Sequence, residues 1–249
     1  MKALFLNIIL LIVAVSATAQ IRPVESLPIA VNYSKTIHLI FPSAVKYSQA
    51  VTDFVAVDNP ENVPHILRIK ANSKSFSKQT TVSVATEGGF FYSFNVSYAD
   101  SLEQTNYFLP GMTSINPDTV FINEVSQTHL IAPEKVIYID YGDTCINVSK
   151  AENTENIIRM IARTGSVQQF PKQTNVSFAT ESGRFFTFNV DYRDKPDAFV
   201  YEVGEKNPEK KANVILTDNI IPAGERDDVM NRVYNARRQI FNKGIVRNK

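Results

Sequence analysis

One stretch of 22 residues occurs twice in this chain. Gln79–Asp100 reads QTTVSVATEGGFFYSFNVSYAD and Gln173–Asp194 reads QTNVSFATESGRFFTFNVDYRD, with 14 of 22 positions identical. A chain that repeats itself folds as similar units in series, so the repeat constrains the architecture before any other feature is considered. In each copy a short strand pattern (Val82 and Val84; Val176 and Phe178) runs into a polar, glycine-containing turn. A longer pattern then alternates strictly: Tyr92, Phe94, Val96 and Tyr98 in the first copy, Phe186, Phe188, Val190 and Tyr192 in the second. Period two with aromatic and β-branched residues predicts a half-buried strand, and each copy a β-hairpin with its rings turned inward. Gly89 and Gly183 stand where such a turn needs positive φ.

The similarity extends upstream. Ile29–Tyr47 lies over Val120–Tyr138, matching Asn32 with Asn123, His38 with His129, Pro42 with Pro133 and Tyr47 with Tyr138. Arg68 and Arg159 keep that offset, and three extra residues then enter the second copy before its hairpin. Many short strands, turns between them and almost no helical periodicity predict an all-β fold, a β-sandwich or an open barrel, and here two tandem β-sandwich modules. The expected modules are residues 20–104 and 119–203, joined by a linker over 105–118. A short strand (NVILT) and a helix follow within 204–249. The helix is the exception to the β-pattern, with Val229, Val233, Ala236 and Ile240 at spacings of four, three and four. Asp227 and Asp228 fall at its start and Lys243 at its end, as the helix dipole favours. Residues 226–249 carry seven basic and two acidic residues, so the tail is basic while the whole chain is only +1. That balance gives no electrostatic case for general nucleic-acid binding.

At the other end, Lys2, an apolar run from Leu4 to Val15, and Ala17 and Ala19 form a secretory signal pattern, with cleavage expected between Ala19 and Gln20. A dozen apolar residues fall short of the roughly 20 that span a bilayer. The chain is therefore expected to be exported. Its only cysteine, Cys145, has no intrachain partner and sits in the strand pattern DTCINV, where a buried apolar role outweighs a nucleophilic one.

Catalysis needs converging acid, base, nucleophile or metal-binding groups. His38 and His129 fall within apolar strand patterns in different modules, and His65 has no histidine or cysteine at ligand spacing. Gly88 and Gly89 connect two strands rather than leading into a helix, which removes the anion-binding argument. Glu87 and Glu181 read as solvated turn residues. Arg68 and Arg159 read as outward strand charges, with a contact to a partner carboxylate as the other reading. No catalytic, cofactor or metal site is expected, and the chain reads as a non-enzyme.

Lys35–Tyr47 (KTIHLIFPSAVKY), Asn62–Ala71 (NVPHILRIKA), the first hairpin and Asp227–Ile240 (DDVMNRVYNARRQI) together resemble the TraN family of Bacteroides-type conjugative transposons. That family is similar to TrbG-type periplasmic subunits of type IV secretion outer-membrane core complexes. The resemblance implies a β-sandwich fold and a structural role in a ring under the outer membrane. It also implies other channel subunits and further copies of the chain as partners, and at most peripheral attachment to that membrane. The family carries the module once, followed by a basic helical linker and a further β-domain, whereas here the module is doubled. The expected function is a non-catalytic, periplasmic subunit of a conjugation apparatus. It would assemble through β-edges and through the C-terminal helix, with Val229, Arg232, Val233, Arg237 and Ile240 as its contact residues. The alternative is an exported ligand- or glycan-binding β-sandwich, which would need rings such as Tyr92 and Phe186 exposed on equivalent faces.

Overall fold

A computed structural model describes residues 23–165, 170–171, 173–204 and 215. Ala19 and Gln20, and the tail positions Val229, Arg232, Val233, Arg237 and Ile240, lie outside the described residues, as does all of the predicted strand over 213–217 except Ile215. The chain divides into two compact units at Asn116 and Pro117, and each is described by itself.

In the first unit, β1 (Ser26–Val31), β3 (Val45–Ala50), β6 (Thr80–Thr86) and β7 (Phe91–Tyr98) form one sheet in the order β1-β7-β6-β3. The second sheet has the order β4-β5-β2-β8, from β2 (Ile37–Ile40), β4 (Val55–Asp58), β5 (Ile66–Ala71) and β8 (Asn106–Phe108). The second unit repeats this strand for strand. Its sheets are β9-β15-β14-β11 and β12-β13-β10-β16, built from β9 (Asp118–Ile122), β10 (Thr128–Ile131), β11 (Val136–Tyr141), β12 (Ile146–Lys150), β13 (Ile157–Ala162), β14 (Thr174–Thr180), β15 (Phe185–Tyr192) and β16 (Val200–Glu202). In both units the first strand pairs in parallel with the seventh and the second with the eighth, while the other pairs are antiparallel.

The alternation read from the sequence determines which residues meet between the sheets. In the first unit Ile29, Val31, Val82, Val84, Phe94 and Val96 from one sheet pack with Ile37, Leu39, Leu67 and Ile69 from the other in a single apolar core. Phe41 closes it, its ring 5.2 Å from that of Tyr92 and 6.5 Å from that of Phe94. In the second unit the matching core holds Val120, Ile122, Val176, Phe178 and Val190 against Leu130, Ile158 and Met160. Two apolar faces joined in one core make each unit a sandwich, since an open sheet would leave one of them in water. Deleting a large core side chain such as Phe94 or Phe178 would cost about 3–5 kcal/mol.

Several features escaped the sequence pattern. β8 lies inside the stretch read as a linker, and three residues are too few to show a period. It nevertheless completes the second sheet, with Asn106 bonding Ile115 through both side-chain atoms at 2.9 Å. A β-bulge interrupts the pairing between Val45 and Tyr47, and again between Val136 and Tyr138. Asn32 and Asn123 end the first strand of their units in the same way. The Asn32 side chain accepts the Lys35 N–H at 2.8 Å, and the Asn123 side chain accepts the Ser126 N–H at 2.8 Å. The carbonyls of Asn32 and Asn123 accept the N–H of Ala71 and Ala162 from the facing sheet. One residue thus turns the chain and ties the two layers.

The hairpin glycines adopt the expected conformation, with φ of 81° at Gly89 and 84° at Gly183. A Cβ at either would meet nothing within 4 Å, so the penalty for a side chain there is purely that of the backbone. Gly183→Ala and Gly89→Ala should each destabilise the protein by about 1–2 kcal/mol, read as a lower urea midpoint with an unchanged slope; no shift in either variant would refute the turn assignment.

Candidate interaction surfaces

The residues singled out for chemistry occupy defined places in the two units. Among the described residues, no three histidine, cysteine, aspartate or glutamate side chains gather closely enough to hold a metal ion. His38 is fully buried in β2, opposite Arg68 on β5 and Asn106 on β8. His129 lies at the corresponding place in β10, opposite Arg159 and Val200. Arg68 and Arg159 reach the next strand: Arg68 forms an ion pair with Asp58, directly opposite it on β4, and Arg159 Nε donates to Ser149 Oγ at 2.8 Å on β12. His65 is half-buried, and burial holds its imidazole below the ordinary value.

Glu87 and Glu181 belong to a latch. The Glu87 N–H donates to the Ala44 carbonyl at 2.8 Å, and its carboxylate lies 3.2 Å from Lys46 Nζ. Gly88 N–H donates to Ser43 Oγ at 3.1 Å. In the second unit the Glu181 N–H donates to the Lys135 carbonyl at 2.9 Å, and Ser182 hydrogen-bonds Glu134. That hydroxyl holds the Glu134 carboxyl below the ordinary range, with Arg184 nearby contributing less. The tip of the long hairpin is therefore pinned to the turn before the third strand in both units.

Cys145 is buried in the second core, and its N–H donates to Asp143 Oδ1 at 2.8 Å. Burial, with the Asp143 carboxylate beside it, pushes the thiol up to about 12. A thiol held protonated is a poor nucleophile.

What remains is the outer face of the first sheet. Pairing register places Tyr47, Ala85 and Phe91 in one row across β3, β6 and β7. The bulge puts Tyr47 there: without the extra residue, alternation from the buried Val45 would turn it toward the core. In the first unit Tyr47, Phe91 and the neighbouring Phe90 are all exposed. The next row, Gln49, Ser83, Ser93 and Ser26, is small and polar, with the two serine hydroxyls of β7 and β1 at 2.7 Å. The second unit carries the same row as Tyr138, Ala179 and Phe185. These outward rings lie outside the strict alternation that marks the inward set, so pairing register reveals them and the sequence pattern does not. The signal was present in Phe91, one step out of phase with Tyr92. Tyr92 itself packs into the core, and Phe186 stacks on Phe178 at 5.0 Å. The platform that the glycan reading required is therefore not built from those two rings.

Residues 29–102 and 120–196 each match the profile of one family, described as a domain of unknown function, DUF8473. Together they account for more than half of the chain. The chain belongs to this family. Each DUF8473 match runs from within the first strand of one unit through its seventh, leaving β8 and β16 just beyond it. No curated protein matches the chain. Among solved structures it is similar to titin Ig tandem domains A164-A165, at 10% identity and a TM-score of 0.21 over 72% of this chain and 95% of that one. It is also similar to the endo-fucoidan hydrolase MfFcnA4 of glycoside hydrolase family 107 (8% identity, TM-score 0.23, 72% of this chain and 28% of that one). A third is the Bacteroides ovatus mixed-linkage glucan utilization locus protein SGBP-B (10% identity, TM-score 0.19, 72% and 46%). The sandwich assignment rests on the strand pairing rather than on these likenesses.

The Cys145 environment yields a measurable sign. Between the ordinary thiol value of 9.0 and about 12, the folded state keeps a proton that the unfolded chain releases. The thiol's contribution to stability is therefore full below pH 9 and is lost as pH rises through that window. The native protein should resist alkylation at pH 8 and become reactive on unfolding. Its urea midpoint should fall more steeply above pH 9 than that of Cys145→Ala; equal slopes would contradict the assignment.

Proposed function

We propose that this DUF8473 protein is a non-catalytic structural subunit of a conjugative-transfer, type IV secretion-like apparatus, exported to the periplasm and assembled with other channel subunits and with copies of itself. One observation carries the assembly part of this reading: the outer face of the first unit presents Tyr47, Phe90 and Phe91 to solvent beside a flat row of serines. Aromatic rings on a rigid sheet supply large contact area at little conformational cost, the composition found at the centres of protein interfaces. The resemblance of Lys35–Tyr47, Asn62–Ala71 and the hairpin to TraN proteins supports the conjugation part.

The strand edges are the other route of assembly in this reading. β3 is bulged, β1 carries an exposed Pro28, and β8 is three residues long. Each of these features discourages a neighbouring strand from adding on. The face, rather than the edge, is the surface on which a partner would dock.

A second reading, an exported glycan-binding module, draws on the same exposed rings, since sugars stack on aromatic platforms. The two readings part in one experiment. Chemical cross-linking of the chain in cells that carry the transfer apparatus should capture channel subunits, and Tyr47→Ser combined with Phe91→Ser should abolish that capture. Unfolding free energy should change by less than about 0.5 kcal/mol per substitution, because both positions are exposed. A monomer that joins no complex, or a double variant that cross-links as before, would sink the assembly reading. Retention on a polysaccharide column that the double variant loses would favour the glycan one.

A further inference from the structure

The two units differ in how they guard one edge strand. β1 and β9 occupy the same place, each paired on one side only, in parallel with the seventh strand of its unit. The Val31 carbonyl accepts the Ala99 N–H and the Ile122 carbonyl accepts the Arg193 N–H, which fixes the phase of both ladders. Leu27, Ile29 and Val31 of β1, and Asp118, Val120 and Ile122 of β9, therefore bond toward the seventh strand, and the residues between them turn their main-chain groups to the open edge. On β1 the middle open position is Pro28, which has no N–H to offer a neighbour. Its counterpart on β9 is Thr119, and the proline of this edge stands instead at Pro117, just before the strand begins. Thr119 and Phe121 thus present consecutive open donors and acceptors, and Asp118 is the strand's only charge. The Phe121 carbonyl also receives Thr128 Oγ at a long 3.4 Å, which leaves its second lone pair for a neighbour.

We propose that β9 pairs antiparallel with β9 of a second copy about a two-fold axis at Val120, joining two β9-β15-β14-β11 sheets into one continuous sheet. In that register Thr119 lies opposite the partner's Phe121, and Phe121 opposite the partner's Thr119. Each such pair exchanges both of its N–H to C=O bonds, so the open groups of the two residues are all used. Thr119 and Phe121 share the outward face, since Val120 and Ile122 point into the core, and a β-branched residue against a ring is a favourable cross-strand pair. Their neighbours on β15 are Asn189 and Asp191. Each outward row then runs from Asn189 and Thr119 to the partner's Phe121 and the partner's Asp191, with no like charges adjacent. Two-fold symmetry closes the contact at two copies through this edge.

A second copy is the occupant because no other described edge of the chain can take this one. β1 has its proline, β3 and β11 are bulged, and β8 and β16 have three residues each. β4 has four residues and ends in the charged Asp58. β12 turns Lys150 to the core side, opposite Ile158, where its ammonium meets Glu155 at 3.5 Å. Proline, bulges, shortness and inward charges are the means by which sheets keep an edge from adding strands. β9, five residues long and uncharged past Asp118, has none of them. The inference rests on the part of the proposed function in which copies of the chain assemble, and it leaves the Tyr47–Ala85–Phe91 row of the first unit to other subunits.

The test follows amide hydrogen exchange in the full chain across a dilution series, with sedimentation reporting the dimer. The N–H groups of Thr119 and Phe121 should exchange at least about tenfold more slowly in the dimer than in the diluted monomer, while those of Ser26 and Ala30 on β1 should not change. Thr119→Pro should weaken the dimer at least about tenfold, since it removes half of the main-chain bonds of the seam. It should still fold, because the same place in β1 already holds a proline. In a Cys145→Ala background, Val120→Cys should form a disulfide between copies on mild oxidation, and its counterpart Ile29→Cys should not. A chain that stays monomeric, protection of Thr119 that does not depend on concentration, or a dimer untouched by Thr119→Pro would overturn the proposal. So would a β9 edge that accepts only a different protein. Capture of channel subunits without the Val120→Cys cross-link would sink this contact and leave the conjugation reading; the cross-link without such capture would uphold the contact and sink that reading.

Discussion

Each unit closes only when its first strand finds its seventh. β1 pairs in parallel with β7 over six positions, Ser26 with Ser93 through to Val31 with Tyr98, and this alignment carries Ile29 and Val31 into the core beside Val96. The partner strand lies more than 60 residues further along, whereas β6 and β7 are neighbours in the chain. Loop-closure entropy makes such non-local pairing slow, while the hairpin is local and forms early. The residue after β1 then does double duty: Asn32 turns the chain with its side chain and reaches the facing sheet with its carbonyl. The second unit repeats the arrangement with β9, β15 and Asn123.

Duplication preserved this framework and let the surface diverge. The turn glycines, the latch between hairpin tip and preceding corner, the bulge and the bridging asparagine are common to both units. At the hairpin tip, by contrast, Phe90 of the first unit is replaced by Arg184, which lies over the Phe186 ring at 5.1 Å and 3.7 Å from Glu134. At this one position the first tip presents an exposed ring and the second a charge paired with a carboxylate. The pattern fits units that share a fold but present different faces.

Most of the framework could be read in the chain because it follows period two. Val82, Val84, Phe94 and Val96 fall on one phase of the alternation and lie in the core; Gly89 and Gly183 stand at the turn positions and have positive φ. Phe186 and Phe188 also point inward, although both remain half-exposed. What could not be read has no period. β8 and β16 are three residues each, held by partners some 70 residues away. The bulges shift Tyr47 and Tyr138 by one position without any residue type to announce it. The candidate surface depends on that shift, which is why the outward Tyr–Ala–Phe row emerges from pairing register rather than from alternation along one strand.

The parallel pairing of first and seventh strands also governs how a unit meets mechanical load. Tension applied through the chain reaches the first unit at the start of β1 and at the end of β8, which pairs in parallel with β2 and must come away before β7 is pulled against β1. The hydrogen bonds along Ser26–Val31 are then loaded together in shear instead of opening one after another like a zip. A unit pulled in this way resists extension through two ladders in turn, and the core stays intact until the second fails as a whole.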